Sequence, residues 1–309
     1  FCGESKRRLY LYPDTEQYHC FHCGAHGNAV SLYARRTGLS YASAYHELEA
    51  DRMLHFPLPN VPKTPEREPA SIEKRDAVYR AMLRLLPLSA EHHQNLLHRG
   101  LSEQKIRGNS YRTLADGKEL RDSIAAQLSA RFDLNGIPGF YFRDGSWRLC
   151  AYSGLLIPVR DADGRMQGIQ IRRDSAERMK YVWLSGAGRP CGTPARSWVH
   201  VTGNRAKTTA VITEGPLKGD AASALSGDTL FLCVPGVSAI KYLPETLENL
   251  HLTAVYEAFD MDKLRNPQVV AARKRLRQMI ADCGLPCQTL LWNEICNGID
   301  DYLAAQKIC

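Results

Sequence analysis

From Thr208 to the end of the chain, short apolar runs alternate with segments of helical periodicity. The apolar runs predict strands and the periodic segments predict helices. In chain order we expect strand 209–213, helix 216–225, strand 229–234, a short helix, strand 253–259, helix 267–282, strand 287–292 and helix 300–306. Strands that alternate with helices are typical of a mostly parallel sheet covered on both faces. The pattern therefore predicts an α/β domain over residues 207–309.

The middle of the chain has two different patterns. Residues 71–132 show helical periodicity, which is interrupted at 87–89 and again at 108–110. Residues 137–184 are typical of strands, and Asp163 and Gly164 lie between two of their apolar runs. Glycine adopts a positive φ without steric cost, so this pair predicts a hairpin turn. We expect a basic, mixed α+β subdomain over residues 71–206.

The N-terminal segment differs from both. Residues 1–56 are aromatic and rich in Cys and His, which indicates a small separate domain. Five prolines follow between Pro57 and Pro69. Such a segment cannot form a helix or a central strand, so residues 57–70 are predicted to be a semi-rigid linker.

Composition adds a little to this organisation. The 309 residues carry a formal charge of +7, which suits a polyanionic partner without requiring one. No apolar run approaches the roughly 18 residues of a membrane span, and the first residues do not resemble a signal peptide. The ten cysteines lack the spacing of a secreted disulfide framework. We therefore expect a cytoplasmic protein with reduced cysteines and no membrane partner.

A metal-binding pattern lies near the N-terminus. Cys20 and Cys23 are separated by two residues, a spacing that lets both thiolates bind one tetrahedral zinc ion. Cys2 lies upstream as a further candidate ligand. The alternative is that these cysteines are simply small buried apolar residues.

Acidic residues follow the predicted strands of the C-terminal domain. Glu214 precedes Gly215 at the end of one strand, Asp260 and Asp262 end another, and Asp300 precedes the last helix. Parallel strands present their carboxyl ends at one edge of a sheet, where open α/β sheets bind ligands. Carboxylate oxygens suit Mg²⁺ or Mn²⁺, and two such ions can assist a phosphoryl displacement.

The order of these acidic sites along the chain, together with the Cys-Phe-His-Cys-Gly segment near the N-terminus, resembles that of DNA primases of the bacterial and phage Toprim type. The details look most like primase-like proteins of phages and integrative elements. The resemblance implies a β-rich zinc ribbon, a Toprim domain and a DNA-directed RNA polymerase activity. It makes Glu214 a metal ligand or general acid/base, and it makes metal ligands of Asp260, Asp262 and Asp300. It also implies a structural Zn²⁺ bound by Cys2, Cys20 and Cys23.

The resemblance places the fourth zinc ligand upstream of Phe1, unless a substitute such as His26 completes the site. It also implies partners: a single-stranded DNA template, ribonucleoside triphosphates and a replicative helicase. The candidate contacts to nucleotide or nucleic acid are basic, namely Lys6, Arg7, Arg160, Arg172, Lys180, Lys218, Arg273 and Arg277. The tyrosines Tyr10, Tyr12 and Tyr18 could stack on bases. The alternatives are ordinary solvated charge for the basic residues and ordinary core packing for the tyrosines.

Two departures from the family pattern leave other functions open. Lys218 stands where the family usually has Asp, and Asp262 is followed by Lys-Leu-Arg-Asn-Pro instead of the usual Ala-Gly step. These departures put priming activity in doubt, although not the metal site. The same acids could serve a Toprim nuclease, and a non-catalytic module that binds single-stranded DNA is a third hypothesis. A helicase is disfavoured because the chain has no phosphate-binding Gly-x-x-x-x-Gly-Lys-Ser/Thr loop.

The zinc hypothesis is tested by metal analysis. A chain extended upstream to include a fourth ligand should contain one zinc ion, because structural sites use four protein ligands. The present chain, with three thiolates, should bind zinc weakly or not at all. Absence of stoichiometric zinc from the extended chain would contradict the assignment.

Overall fold

The computed structural model describes residues 9–12, 17–20, 22–51, 67–175, 179–236, 239–261, 267–293 and 295–306. The chain divides into two compact units, Phe1–Thr64 and Pro65–Cys309. Within the described ranges, no helix has both the length and the apolar character that a membrane crossing needs. Most of the predicted linker lies outside these ranges, so the linker remains a prediction.

The first unit contains an antiparallel sheet and two described helices. Its strands, in sheet order, are β1 (Leu9–Tyr12), β2 (Gln17–Cys20) and β3 (His26–Asn28). The helices are α1 (Ala29–Thr37) and α2 (Tyr41–Asp51). A small core contains Tyr18, Cys20 and Ala25, against which Leu32 packs. The three-stranded sheet is compatible with a predicted zinc ribbon, but among the described residues helix outweighs strand, so the first unit is less β-rich than the family resemblance implies.

The second unit begins with helices and antiparallel sheets. The helices are α3 (Ile72–Arg84), α4 (Ala90–His98), α5 (Glu103–Asn109) and α6 (Lys118–Ser129). The strands are β4 (Arg112–Leu114), β5 (Phe140–Arg143), β6 (Ser146–Leu149), β7 (Gly154–Arg160), β8 (Met166–Arg173) and β9 (Tyr181–Trp183). β5 and β6 form a hairpin, and the other strands form a sheet in the order β4-β7-β8-β9. This mixed α+β character is what the two sequence patterns predict.

Two local signals in this region have the predicted outcome. The side chain of Ser89 caps α4 by accepting the backbone N–H of His92 at 3.2 Å, so the helix restarts after the predicted break. Gly164 lies in the turn between β7 and β8 with φ of +83°, and its N–H donates to the carbonyl of Asp161 at 3.1 Å. The hairpin prediction is therefore confirmed.

The C-terminal part of the second unit is built on a mostly parallel sheet. Its strands are β10 (His200–Gly203), β11 (Thr209–Glu214), β12 (Leu230–Val234), β13 (Ala254–Glu257) and β14 (Cys287–Thr289). The sheet order is β10-β12-β11-β13-β14, and only β10 is antiparallel to its neighbour. The sequence pattern missed β10, so the sheet begins before the predicted domain boundary at residue 207.

Helices cover both faces of this sheet, as predicted. They are α7 (Pro216–Ser226), α8 (Leu243–Glu248), α9 (Pro267–Asp282) and α10 (Ile299–Gln306). Alternate residues along β12 separate the two faces. Leu232 packs in a core with apolar residues of α8 and α9. Phe231 packs in a second core with residues of α7 and α10.

A buried polar network joins this sheet to the antiparallel part of the unit. Asp220, on α7, accepts hydrogen bonds from Tyr111 at 2.5 Å and from Thr202 at 2.7 Å, and its Oδ1 lies 3.1 Å from His200 Nε2. The backbone N–H of Arg160 donates to His200 Nδ1 at 2.9 Å. This Nδ1 must therefore be an acceptor, so Nε2 carries the proton that His200 donates to Asp220.

The network keeps Asp220 ionised although its side chain is buried. Burial by itself raises the pKa of Asp220, but His200, Tyr111 and Thr202 outweigh burial and hold the pKa below its ordinary value of 3.8. Burial and the neighbouring carboxylate raise the pKa of Tyr111 well above 10.0, so its hydroxyl stays a donor. Removing one member of a buried, hydrogen-bonded charge network of this kind destabilises the folded protein strongly.

Replacing Asp220 with Asn should lower the free energy of unfolding by about 3–5 kcal/mol, because Tyr111, Thr202 and His200 lose their charged acceptor. The matched control is Asp228→Asn. Asp228 is exposed and contacts Lys207 and Asn204, so its loss should cost less than about 1 kcal/mol. Urea unfolding measures both.

The difference between wild type and Asp220→Asn should also depend on pH. A carboxyl whose folded pKa lies below its unfolded value stabilises fully above the unfolded pKa, and that contribution is lost as pH falls through the folded one. The stability gap should therefore be constant above about pH 5 and shrink below about pH 4. A gap that persists unchanged into acid would contradict the assigned ionisation.

Candidate functional site

The candidate site lies at the carboxyl edge of the parallel sheet. Glu214 is the last residue of β11, and Gly215 turns the chain into α7 with φ of +88°. The Gly215 N–H donates to the carbonyl of Val234 at 2.8 Å, which anchors the turn on the neighbouring strand. β11 and β13 are adjacent and parallel. The ends of these two strands therefore open at the same edge.

Two further predicted acids meet at this edge. Asp260 follows β13 and is 8% exposed, and Asp300 lies in the first turn of α10 and is 7% exposed. The N–H of Met261 donates to the carbonyl of Asn297 at 3.0 Å, which joins the segment after β13 to the segment before α10. This hydrogen bond holds the segments that carry Asp260 and Asp300 next to each other.

Lys218 pairs with one of these acids and lies near the other. Its ammonium group, on the first turn of α7, forms an ion pair with Asp260 Oδ1. A Cβ atom built on Gly298 would lie 2.5 Å from Asp300 Oδ1 and 3.1 Å from Lys218 Nζ. The ammonium and the Asp300 carboxylate therefore flank the same glycine. A side chain at this position would therefore push the Asp300 carboxylate or the Lys218 ammonium group aside.

Asp300 is not fully compensated by its neighbours. Its Oδ2 lies 3.5 Å from Arg99 Nη1, and its buried Oδ1 has no hydrogen-bond partner among the described residues. Burial raises the pKa of Asp300 above its ordinary value, although Lys218 and Arg99 act in the opposite direction. A buried carboxylate oxygen without a donor is a suitable ligand for a hard cation.

The described side chains do not by themselves form a metal cluster. Within the described ranges, no three Cys, His, Asp or Glu residues come together as a group that could hold a metal ion. Asp262, the remaining predicted ligand, lies outside those ranges. The donors present, carboxylates with one unpartnered buried oxygen, nevertheless fit a divalent cation such as Mg²⁺ or Mn²⁺.

Glu257 is a buried acid that the sequence analysis did not single out. Its Oε1 accepts from Arg273 at 2.5 Å, from Arg277 Nε at 2.8 Å and from Thr289 at 2.6 Å. Burial raises the pKa of Glu257, but Arg277, Arg273 and Thr289 outweigh it, so the pKa lies below its ordinary value. A charged residue inside an apolar strand was the only signal for this buried ion pair.

This arrangement bears on Arg273 and Arg277, which the sequence proposed as nucleic-acid contacts. Both guanidinium groups are bound to Glu257 and Thr289. Arg273 is largely buried, whereas the side chain of Arg277 is 47% exposed. Contact with nucleic acid is untested for both residues, and their shared pairing with Glu257 favours an internal role.

The predicted basic contacts of the antiparallel part have different surroundings. Arg160 is half-buried and donates to the backbone carbonyls of Gly164 at 3.1 Å and Asn109 at 3.0 Å. Arg172, on β8, is half-buried, and its Nε has no hydrogen-bond partner among the described residues. Lys180 is exposed. Of these three, only Lys180 is exposed to a ligand, because the unpartnered Nε of Arg172 is buried.

In the first unit, Cys20 and Cys23 flank a tight turn. The N–H of Cys20 donates to the carbonyl of Ala25 at 2.7 Å, and the N–H of Gly24 donates back to Cys20 at 2.9 Å. Cys20 is buried and Cys23 is exposed. His26 Nδ1 lies 3.0 Å from the Gly24 carbonyl oxygen. Cys2, Lys6 and Arg7 lie outside the described residues.

The three tyrosines of the first unit fall into two groups. Tyr10 and Tyr12 are 53% and 44% exposed on β1. Tyr18 is 2% exposed and packs in the small core, which is the alternative that the sequence left open. Base stacking remains a prediction for Tyr10 and Tyr12 only.

Comparison with known proteins relates both the sequence and the fold to primases. A family model described as "Domain of unknown function (DUF3854)" matches residues 198–308. The DNA primase of Thermotoga maritima is 21% identical over 183 residues, 59% of this chain and 32% of that protein. The DNA primase of Haemophilus influenzae is 32% identical over 184 residues, 53% of this chain and 29% of that protein. The chain thus spans about a third of the length of these curated relatives.

Solved structures share the fold at low sequence identity. The zinc-binding and RNA polymerase domains of Aquifex aeolicus primase match 99% of this chain and 74% of that one, with a TM-score of 0.58 and 16% identity. The DnaG primase catalytic domain bound to single-stranded DNA matches 77% of this chain and 79% of that one, with a TM-score of 0.54 and 14% identity. The resemblance that the motifs indicated is confirmed: the chain is related to bacterial DNA primases and has the fold of their zinc-binding and RNA polymerase domains.

Proposed function

We propose that this chain carries a primase activity: the metal-dependent, template-directed joining of ribonucleotides on single-stranded DNA, at a Toprim-type site. The observation that supports the proposal is that Lys218 pairs with Asp260 and lies near Gly298 and Asp300, at the sheet edge where β11 ends in Glu214. The primases named above are the relatives that suggest the reaction. The alternatives are hydrolysis of nucleic acid by the same acids, and DNA binding without catalysis.

The proposed metal site consists of Glu214, Asp260, Asp262 and Asp300. When bound, Mg²⁺ or Mn²⁺ would neutralise phosphate charge and help to ionise the attacking hydroxyl. Asp300 Oδ1 is the ligand with the strongest support, because it is buried and lacks a donor among the described residues. Glu214 is half-buried at the strand end, where a carboxylate can bind the ion or accept a proton from the hydroxyl.

We assign the phosphate contacts to Arg172 and Lys180. Lys180 is exposed and supports this assignment. Arg172 is half-buried and pairs with Tyr181 on the neighbouring strand, and its Nε is buried, so its support is its position beside Lys180. Arg160 is a weaker candidate because its guanidinium group already binds two backbone carbonyls. In the first unit, the exposed Tyr10 and Tyr12 offer aromatic faces to template bases. We assign a structural Zn²⁺ there to Cys2, Cys20 and Cys23, while a helicase partner is a proposal from family resemblance alone.

The catalytic proposal is tested with single-stranded DNA, labelled ribonucleotides and Mg²⁺ or Mn²⁺. Wild-type chain should make short RNA, and Asp260→Asn should reduce the rate at least about 100-fold, because the ion loses a charged ligand. Asp228→Asn is the matched control with normal rate, since Asp228 contacts Lys207 and Asn204 instead. Degraded DNA instead of RNA would favour the nuclease, and neither product would favour the binding module.

The nucleic-acid contacts are tested by the salt dependence of single-stranded DNA binding. Arg172→Ala with Lys180→Ala should flatten the slope of log K against log salt by about 1.4, since each phosphate contact contributes roughly 0.7. Arg273→Ala with Arg277→Ala should leave the slope unchanged. The second pair should instead lower the free energy of unfolding by about 3 kcal/mol or more, because Glu257 is left buried and unpaired. A flattened slope in the second pair would restore the nucleic-acid interpretation of α9.

A further inference from the structure

Lys218 has surroundings that differ from those of an ordinary surface lysine. The side chain of Lys218 is 19% exposed, and the side chain of its partner Asp260 is 11% exposed. The ammonium group also lies near Asp300, because a Cβ atom built on Gly298 would be 3.1 Å from Lys218 Nζ and 2.5 Å from Asp300 Oδ1. A lysine ammonium group loses hydration when it is largely buried. The negative charge of the nearby carboxylates must therefore offset this loss.

The position of Lys218 in its helix supports the same conclusion. Pro216 opens α7, so Lys218 lies in the first turn, where no acidic residue is present. The amino end of a helix carries partial positive charge and disfavours a cation. A lysine here is therefore unfavourable unless a nearby anion compensates it, and Asp260 does so.

Cations already lie beside both Asp260 and Asp300. Among the described residues, Lys218 pairs with Asp260 and Arg99 lies 3.5 Å from Asp300, while the neighbouring Asp301 adds negative charge near Asp300. A divalent ion that bound both carboxylates at this point would have to displace the ammonium group. Four clustered carboxylates without such a group would need more cations to offset their repulsion.

We propose that Lys218 is a built-in cation of this site. Its ammonium group takes the place of one divalent ion between Asp260 and Asp300, so the site binds a single Mg²⁺ or Mn²⁺. The inference rests on the proposed function, which supplies the metal, and it makes Lys218 a positioning residue for the acids.

A charge series at position 218 tests this inference. Mn²⁺ binding to the full chain is measured by electron paramagnetic resonance titration for wild type, Lys218→Gln and Lys218→Glu. Wild type should bind one ion at the acidic site. Lys218→Gln should bind the first ion about tenfold more tightly, because a nearby like charge is removed. Lys218→Glu, which adds a carboxylate where the ammonium was, should bind two ions.

Asp260→Asn and Lys207→Gln complete the design. Asp260→Asn identifies the ions that belong to the acidic site, since ions bound elsewhere remain in that variant. Lys207 pairs with the exposed Asp228, so Lys207→Gln should leave the affinity and number of ions unchanged. The rise in melting temperature on adding Mn²⁺ gives a second readout, and it should be larger in both Lys218 variants than in wild type, because the ion stabilises only the folded acids.

Three results would overturn the inference. Two ions in wild type would mean that Lys218 does not occupy a cation position. Equal affinity and stoichiometry in all three members of the series would mean the same, even if primer synthesis is normal and the proposed function holds. Weaker ribonucleotide binding with unchanged Mn²⁺ binding would make Lys218 a phosphate contact instead. Absence of primer synthesis with the expected Mn²⁺ series would contradict only the proposed function.

Discussion

The buried carboxylate of Asp220 constrains the geometry of the second unit. A carboxylate away from water is tolerated only when donors surround it, and here the donors come from Tyr111, Thr202 and His200. Asp220 and Lys218 are two residues apart on α7, so about 200° of helical rotation separates them. The helix is therefore fixed on the antiparallel part through one side and presents Lys218 to the acidic edge through another. The network thus positions the candidate site without belonging to it.

The other buried acids differ in how well their charge is compensated. Glu257 accepts four hydrogen bonds on Oε1, three of them from the guanidinium groups of Arg273 and Arg277, and its pKa falls despite burial, although its buried Oε2 has no partner among the described residues. Asp300 has a more distant guanidinium partner and one oxygen without a described donor, and burial raises its pKa. Both acids thus have one buried oxygen without a described donor, and they differ in charge compensation. A carboxylate whose charge is offset by two guanidinium groups has a structural role. One that remains under-compensated is suited to an added cation, and this contrast separates the two acids more clearly than their sequence context does.

Local patterns predicted the elements well because they depend on neighbouring residues. The periodicity after Thr208 predicted the alternating strands and helices. Ser89 caps the start of α4 and Gly164 turns the chain between β7 and β8, as capping and φ preferences require. β10 and β4 were missed because each is short and is specified by its partner strand, β12 for β10 and β7 for β4. The Asp220 network was missed for the same reason. Its members are far apart along the chain, and no spacing rule connects Tyr111 with Asp220.

The basic residues show most clearly where sequence reasoning reaches its limit. Composition and periodicity identify a positive charge, but the partner of that charge depends on the fold. Arg273 and Arg277 have the one-turn spacing of a phosphate-binding pair, yet their shared partner is a glutamate on β13. Lys218 resembles a phosphate ligand by its place at a helix start, yet its ammonium group is bound to Asp260. In both cases the carboxylate is almost inaccessible to water, so the energetic demand of the acid, more than attraction to an external ligand, decides where the cation lies.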